Sequence, residues 1–152
     1  MGGRYFDKVH RCFPLLDETA FRSSQNDAKK GDIDISPALL SCLYAHSLIY
    51  WRVAKGPETQ HPNLRYVWNQ ATEALYSELH LSPGISTIIA ILLNVSGRPL
   101  TAMIGNAVQL SSAIGLAHSL GLNRACLDWD IPSSEKCLRM RLWWAIVVHD
   151  KW

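Results

Sequence analysis

Along most of this chain apolar residues return every three or four positions, the spacing of helices with one face turned inward, and no stretch shows the strict alternation of a half-exposed strand. The expected fold class is all-α, an array of about six to seven antiparallel helices. Ser36 followed by Pro37 reads as an N-cap with proline in the first helical position. It opens a helix to about Val53, with Leu39, Leu40, Leu43, Ala45, Leu48 and Ile49 available for burial. Lys55 to Pro62, which holds two prolines and a glycine, ends that helix. His61 and Pro62 open the next, in which Tyr66, Val67, Ala71, Ala74, Leu75 and Leu79 fall on one face until near His80. Ser82 and Pro83 repeat the start signal ahead of Ile85, Ile88, Ile89, Leu92 and Val95. That helix is apolar over most of its circumference, which predicts a central position, and Gly97, Arg98 and Pro99 break it.

At the front, a short helix around Arg4 to Cys12 is stopped by Pro14, and Asp17 is placed to cap a second one through Phe21 and Arg22. The polar run from Ser23 to Asp34 is expected as a loop. At the back, Leu100 to about Leu120 forms a helix with Met103, Ala107, Leu110, Ile114 and Ala117 on one face. Gly105, Ser111, Ala113 and Gly115 are small enough for close approach of a neighbour, and Gly121 sits where a left-handed C-cap belongs. After a loop with Trp129, Asp130 and Pro132, Ser133 or Ser134 caps a last helix that carries Glu135 against the positive end of its dipole. This helix has a start signal and no Gly or Pro stop, so the array is expected to be incomplete at the C-terminus.

Composition narrows the partners. With 48% hydrophobic and 18% charged residues in 152, there is apolar material for a true core. Fifteen Lys and Arg face thirteen Asp and Glu, and no run of like charge exceeds Lys29 and Lys30, so the clustered cations that neutralise phosphates are missing and direct DNA contact is not expected. The longest apolar runs, Ile88 to Leu93 and Leu142 to Val148, fall well short of the roughly 20 residues of a membrane span, so no membrane partner is expected. Cys12, Cys42, Cys126 and Cys137 are too scattered to form a Cys-x-x-Cys metal pair and read as buried free thiols.

Catalytic motifs are scarce. His149 and Asp150, with histidines upstream at 46, 61, 80 and 118, suggest the ligand pair of helical metal-dependent phosphohydrolases. Such a site needs a further Asp on a later helix, and a surface His beside a structural Asp is the simpler reading. No Gly-x-Ser-x-Gly, phosphate-binding Gly-rich loop or His-Glu-x-x-His occurs, so an enzyme is not expected and no catalytic, cofactor or metal residues are assigned. Trp51, Trp68, Trp129, Trp143 and Trp144 could line an apolar pocket but read first as core. Glu135, Arg139 and Trp143 share one helical face, where an ion pair and a cation–π contact can form.

The stretch from Gly105 to Trp152 carries more than periodicity. Leu120, Gly121, Leu122, Asn123 and Arg124 form a Leu-Gly-Leu-Asn-Arg run, Trp129 follows in a loop, and Arg139, Arg141, Leu142, Trp143, Trp144 and Asp150 form an Arg-x-Arg-Leu-Trp-Trp block with Asp six residues on. Together with Tyr5, Phe6, His10, Phe13, Pro14 and Phe21, these resemble the fungal-specific transcription factor domain, the regulatory region that follows a zinc binuclear cluster, and more loosely its amine and nitrogen-source activators. The resemblance implies a nuclear regulator of transcription by RNA polymerase II that works with co-regulators, a small-molecule effector, or a homo- or heterodimer partner. It implies that Trp143 and Trp144 fill the core while Arg139 or Arg141 pairs with a carboxylate of a neighbouring helix. Zinc and DNA binding would belong to a six-cysteine cluster that is missing here, and the chain then reads as the truncated front part of the domain. A stand-alone helical interaction module is the alternative.

Overall fold

The computed structural model describes residues 2–19, 21–23, 36–55, 63–97 and 103–151. Among the described residues six helices make up the body: α1 (Gly2–Lys8), α2 (Pro37–Lys55), α3 (Leu64–Leu81), α4 (Ile85–Gly97), α5 (Met103–Ser119) and α6 (Ser133–Lys151). Residues 18–19 and 21–23 add a helical turn, and the described residues contain no strand. The expected loop after Ser23, the break before Asn63, the Arg98 to Leu100 segment, the Trp51 side chain and Trp152 lie outside the described residues.

The start signals are legible in the hydrogen bonds, with shifts. Ser36 Oγ accepts from Leu39 N at 3.1 Å, so it caps α2 with Pro37 in the first turn. The cap of α3 is Asn63, whose Oδ1 accepts from Arg65 N and Tyr66 N at 3.0 and 3.4 Å; the pair His61 and Pro62, read as the opening, precedes it. Ser82 does not open α4 but closes α3, through its N–H to Glu78 O at 3.0 Å. The opening of α4 is Gly84, whose carbonyl takes the Ile88 N–H while its own N–H donates to Thr87 Oγ1 at 2.9 Å, a reciprocal arrangement that a hydroxyl three residues on makes possible. Neither Ser133 nor Ser134 caps α6: the Pro132 carbonyl accepts from Glu135 N and Lys136 N, and Glu135 stands in the first turn. The first helix ends at Lys8 and not Cys12, the chain continuing in turns to Cys12. Asp17 caps the next turn as read, its Oδ1 accepting from Thr19 N at 3.0 Å.

Around α4 the rest assembles. Every residue from Thr87 to Asn94 is buried, and α4 touches α2, α3, α5 and α6, while α1 closes on α2 and α6 on α5. Each fully buried Ile or Leu of α4 contributes about 1.5–3 kcal/mol relative to exposure. Some polar groups of this core meet partners, while Tyr5 Oη, Trp68 Nε1 and Asn94 Oδ1 are buried without one. Asn94 Nδ2 donates to Gln109 Oε1 of α5 at 2.8 Å and to Thr72 Oγ1 of α3 at 3.4 Å, and the carboxylate of Glu78 accepts from the hydroxyls of Ser36, Thr87 and Ser86 at 2.5, 2.8 and 3.3 Å. One carboxylate thereby ties the starts of α2 and α4 to α3. His46 of α2 bonds Leu93 O at 2.8 Å, which makes its Nε2 the protonated donor, and it packs edge-on against Trp68.

The Asn94 to Gln109 bond also explains a difference in α5. Among the described side chains of α5 the buried ones are Gln109, Ala113 and Ala117, whereas Ala107 is exposed and Leu110 and Ile114 are half-buried, so the inward face is rotated from the one apolar spacing suggests. Gly115 is exposed, and a Cβ there would meet nothing within 4 Å, so it is not a site of close helix approach.

Candidate functional site

Helix α5 ends where a glycine is required. Gly121 has φ +69°, Leu122 N donates to Ala117 O and Gly121 N to His118 O, the paired bonds of a Schellman cap, with Leu122 buried over the last turn. A Cβ on Gly121 would lie 3.6 Å from the Trp129 ring and 3.7 Å from Arg124 Cδ, so the loop tryptophan lies against this turn. Arg139, from the second turn of α6, sits with its guanidinium 5.1 Å from the centre of that same ring. It also pairs with Glu135 at 3.1 Å and donates from Nη1 to Leu120 O at 3.1 Å. A cation thus meets a carbonyl at the negative end of α5 and an aromatic face at once. Leu120, Gly121, Trp129 and Arg139 form one clamp between α5 and α6. Lys136 adds a bond from Nζ to Leu127 O at 2.7 Å, and Arg124 is exposed at the edge.

Beyond the clamp the Arg-x-Arg-Leu-Trp-Trp block splits around α6. Leu142 is fully buried with Ile146 beside it, and Trp143 is half-buried, edge-on to His118 of α5 at 5.5 Å. Trp144 does not fill the core: one position further round the helix, it is 66% exposed. Among the described residues neither arginine pairs with a carboxylate of another helix: Arg139 takes Glu135 one turn back in α6, and Arg141 Nε is buried without a hydrogen-bond partner. The cation–π partner of Arg139 is Trp129 and not Trp143, because the loop brings its ring across the gap between the helices. Asp150 is exposed beside Lys151 at 3.1 Å, and His149 Nδ1 bonds Ala145 O.

Among the described residues no three His, Cys, Asp or Glu side chains converge to hold a metal ion. Cys42 and Cys126 are buried as read, but Cys12 and Cys137 are exposed. Burial, followed by the nearby Glu78, pushes the Cys42 thiol up to about 12, which keeps it protonated and a poor metal ligand. The donor set does not fit a zinc cluster. No described helix is long and apolar enough to cross a membrane. The polar links at Glu78, Asn94 and Gln109 are not foreseen from the sequence, and His46, read among the candidate metal histidines, bonds a backbone carbonyl instead; a buried amide pair 15 residues apart leaves no local signal.

Comparison with known proteins gives this helical domain its class. The family model described as "Fungal specific transcription factor domain" matches residues 3–152. The chain belongs to that family. An uncharacterized transcriptional regulatory protein of Schizosaccharomyces pombe is 37% identical over 150 residues, covering 97% of this chain and 22% of the relative. The transcriptional activator protein DAL81 of Saccharomyces cerevisiae is 31% identical over 157 residues, covering 97% of this chain and 15% of the relative. No solved structure matches.

Proposed function

We propose that this chain is the regulatory domain of a fungal transcription factor that acts in the nucleus on metabolic genes transcribed by RNA polymerase II. The observation that carries the reading is the family match across residues 3–152. DNA and zinc binding fall to a cluster elsewhere in a longer factor, consistent with the small fraction of each relative that the chain spans. The clamp of Arg139 on Trp129 and Leu120 fixes how α6 lies on α5, and a co-regulator or effector that favours one seating of α6 shifts the population accordingly.

Fusion of the full chain to an unrelated DNA-binding domain ahead of a reporter in a fungal host tests this. Output should rise or fall severalfold relative to the DNA-binding domain alone, and Trp143→Ala should diminish the change. Output equal to that of the DNA-binding domain alone would sink the reading. A second reading, a helical module that binds partners without DNA, draws on the exposed Trp144; co-purification with and without a zinc-cluster factor separates the two.

A further inference from the structure

Helix α5 sits against α4 and α6 in a rotation that its apolar residues do not choose. Gln109, Ala113 and Ala117 face inward, Leu110 and Ile114 are only half-buried, and Ala107 and Val108 are exposed. Between Met103 and Ser119 the helix carries no Asp, Glu, Lys or Arg, so no such charge of its own fixes the rotation. The rotation follows instead the bond of 2.8 Å from Asn94 Nδ2 to Gln109 Oε1, an amide pair sealed inside the core. A buried polar residue can set the register of packed helices at a cost in stability. The cost is visible here, because Asn94 Oδ1 is buried without a partner.

At about 100° per residue, a turn of about 50° carries Leu110 and Ile114 into the buried face while Ala113 and Ala117 stay within it. Gln109 then moves to the rim and Ala107 moves inward, whereas Val108, on the far side, stays in solvent. We propose that α5 is a two-position helix, held in its present seat by the Asn94–Gln109 bond and able to turn by about half a residue step when that bond is broken. The turn would act on the α5–α6 clamp, because Arg139 holds Leu120 O just past the end of α5 and His118 of α5 lies edge-on to Trp143. A co-regulator or effector that favours either seat thereby changes how α6 lies. Calling the movement regulatory rests on the function proposed above; whether α5 turns is measured without DNA or reporter, so either can fail alone.

In the full chain, Ala107→Cys and Val108→Cys report the turn through their rates of modification by N-ethylmaleimide. Mass spectrometry of the separate peptides keeps them apart from the natural cysteines. Gln109→Ala deletes the bond and leaves a gap in the present seat only, and Gln109→Lys puts a charge where the present seat cannot hold one. Both variants should keep a cooperative urea transition. In both, modification at position 107 should slow by about tenfold or more, while that at 108 stays within about twofold of its rate beside the natural Gln109. Unchanged rates at both positions would mean a helix that does not turn, and faster rates at both a helix that frays. Loss of the cooperative transition in either variant would mean that no second seat exists. Each of these three results overturns the proposal.

Discussion

Helices α4 and α6 meet in the same core but are built on opposite plans. Helix α4 has no outer side: from Thr87 to Asn94 nothing reaches solvent, and its polar members are bonded to α3 and α5. Helix α6 turns Leu142 and Ile146 inward, lays Arg139 across the end of α5, and presents Trp144 and Val148 outward. The difference shows where each kind of sequence information lies. In α4 hydrophobicity alone determines position. In α6 the adjacent residues Leu142, Trp143 and Trp144 have three different surroundings, so a contiguous motif divides between core and surface.

The largest effect that could break this contrast is Leu142→Ala. Removing a fully buried leucine side chain should cost about 2–5 kcal/mol, read as a fall in the urea midpoint at unchanged slope. A cost under about 1 kcal/mol would show that α6 is not anchored where the structure places it. Gly97→Ala comes next: its Cβ would fall against the His46 ring and 2.8 Å from Trp68, and overpacking of this kind costs about 1–3 kcal/mol. A neutral result would mean that the last turn of α4 can shift away from α2 and α3.

A smaller effect is electrostatic. Burial lowers the His46 pKa below its ordinary 6.5, a depression that the bond to Leu93 O partly offsets. Above that value the ring is neutral in both folded and unfolded chains and stability is flat. As pH falls through it, the unfolded chain takes up the proton first, so stability declines until the folded ring also titrates. Denaturant titrations between about pH 7.5 and about pH 5 should therefore show a steeper loss for the natural chain than for His46→Gln. Equal loss would place the acid sensitivity elsewhere. The smallest effect completes the comparison: Trp144→Ala should change stability by no more than about 0.5 kcal/mol, since most of the ring is already in water. A large loss there would return Trp144 to the core.

Much of this fold was legible because its signals are local. Ser36 with Pro37, Asp17 and Gly121 each act within a few residues of themselves, and the apolar breadth of Ile85 to Val95 could only be a central helix. Ser133, Ser134 and Ser82 misled because a residue type that can cap does not say which carbonyl begins the helix; Pro132 and Gly84 do so here. The α5 face was misjudged because Gln109 is buried for a partner, Asn94, that periodicity cannot foresee. The motif of the last helix did not disclose the directions of its side chains, since Trp143 and Trp144 differ only by one step around a helix.

The clamp between α5 and α6 also bears on the order of assembly. Its bond from Arg139 to Leu120 closes 19 residues of chain, whereas the bond from His46 to Leu93 closes 47. Loop-closure entropy alone makes the shorter link easier by about 0.8 kcal/mol. The α5–α6 hairpin is therefore expected to form early, with the seating of α2 against α4 as the later event.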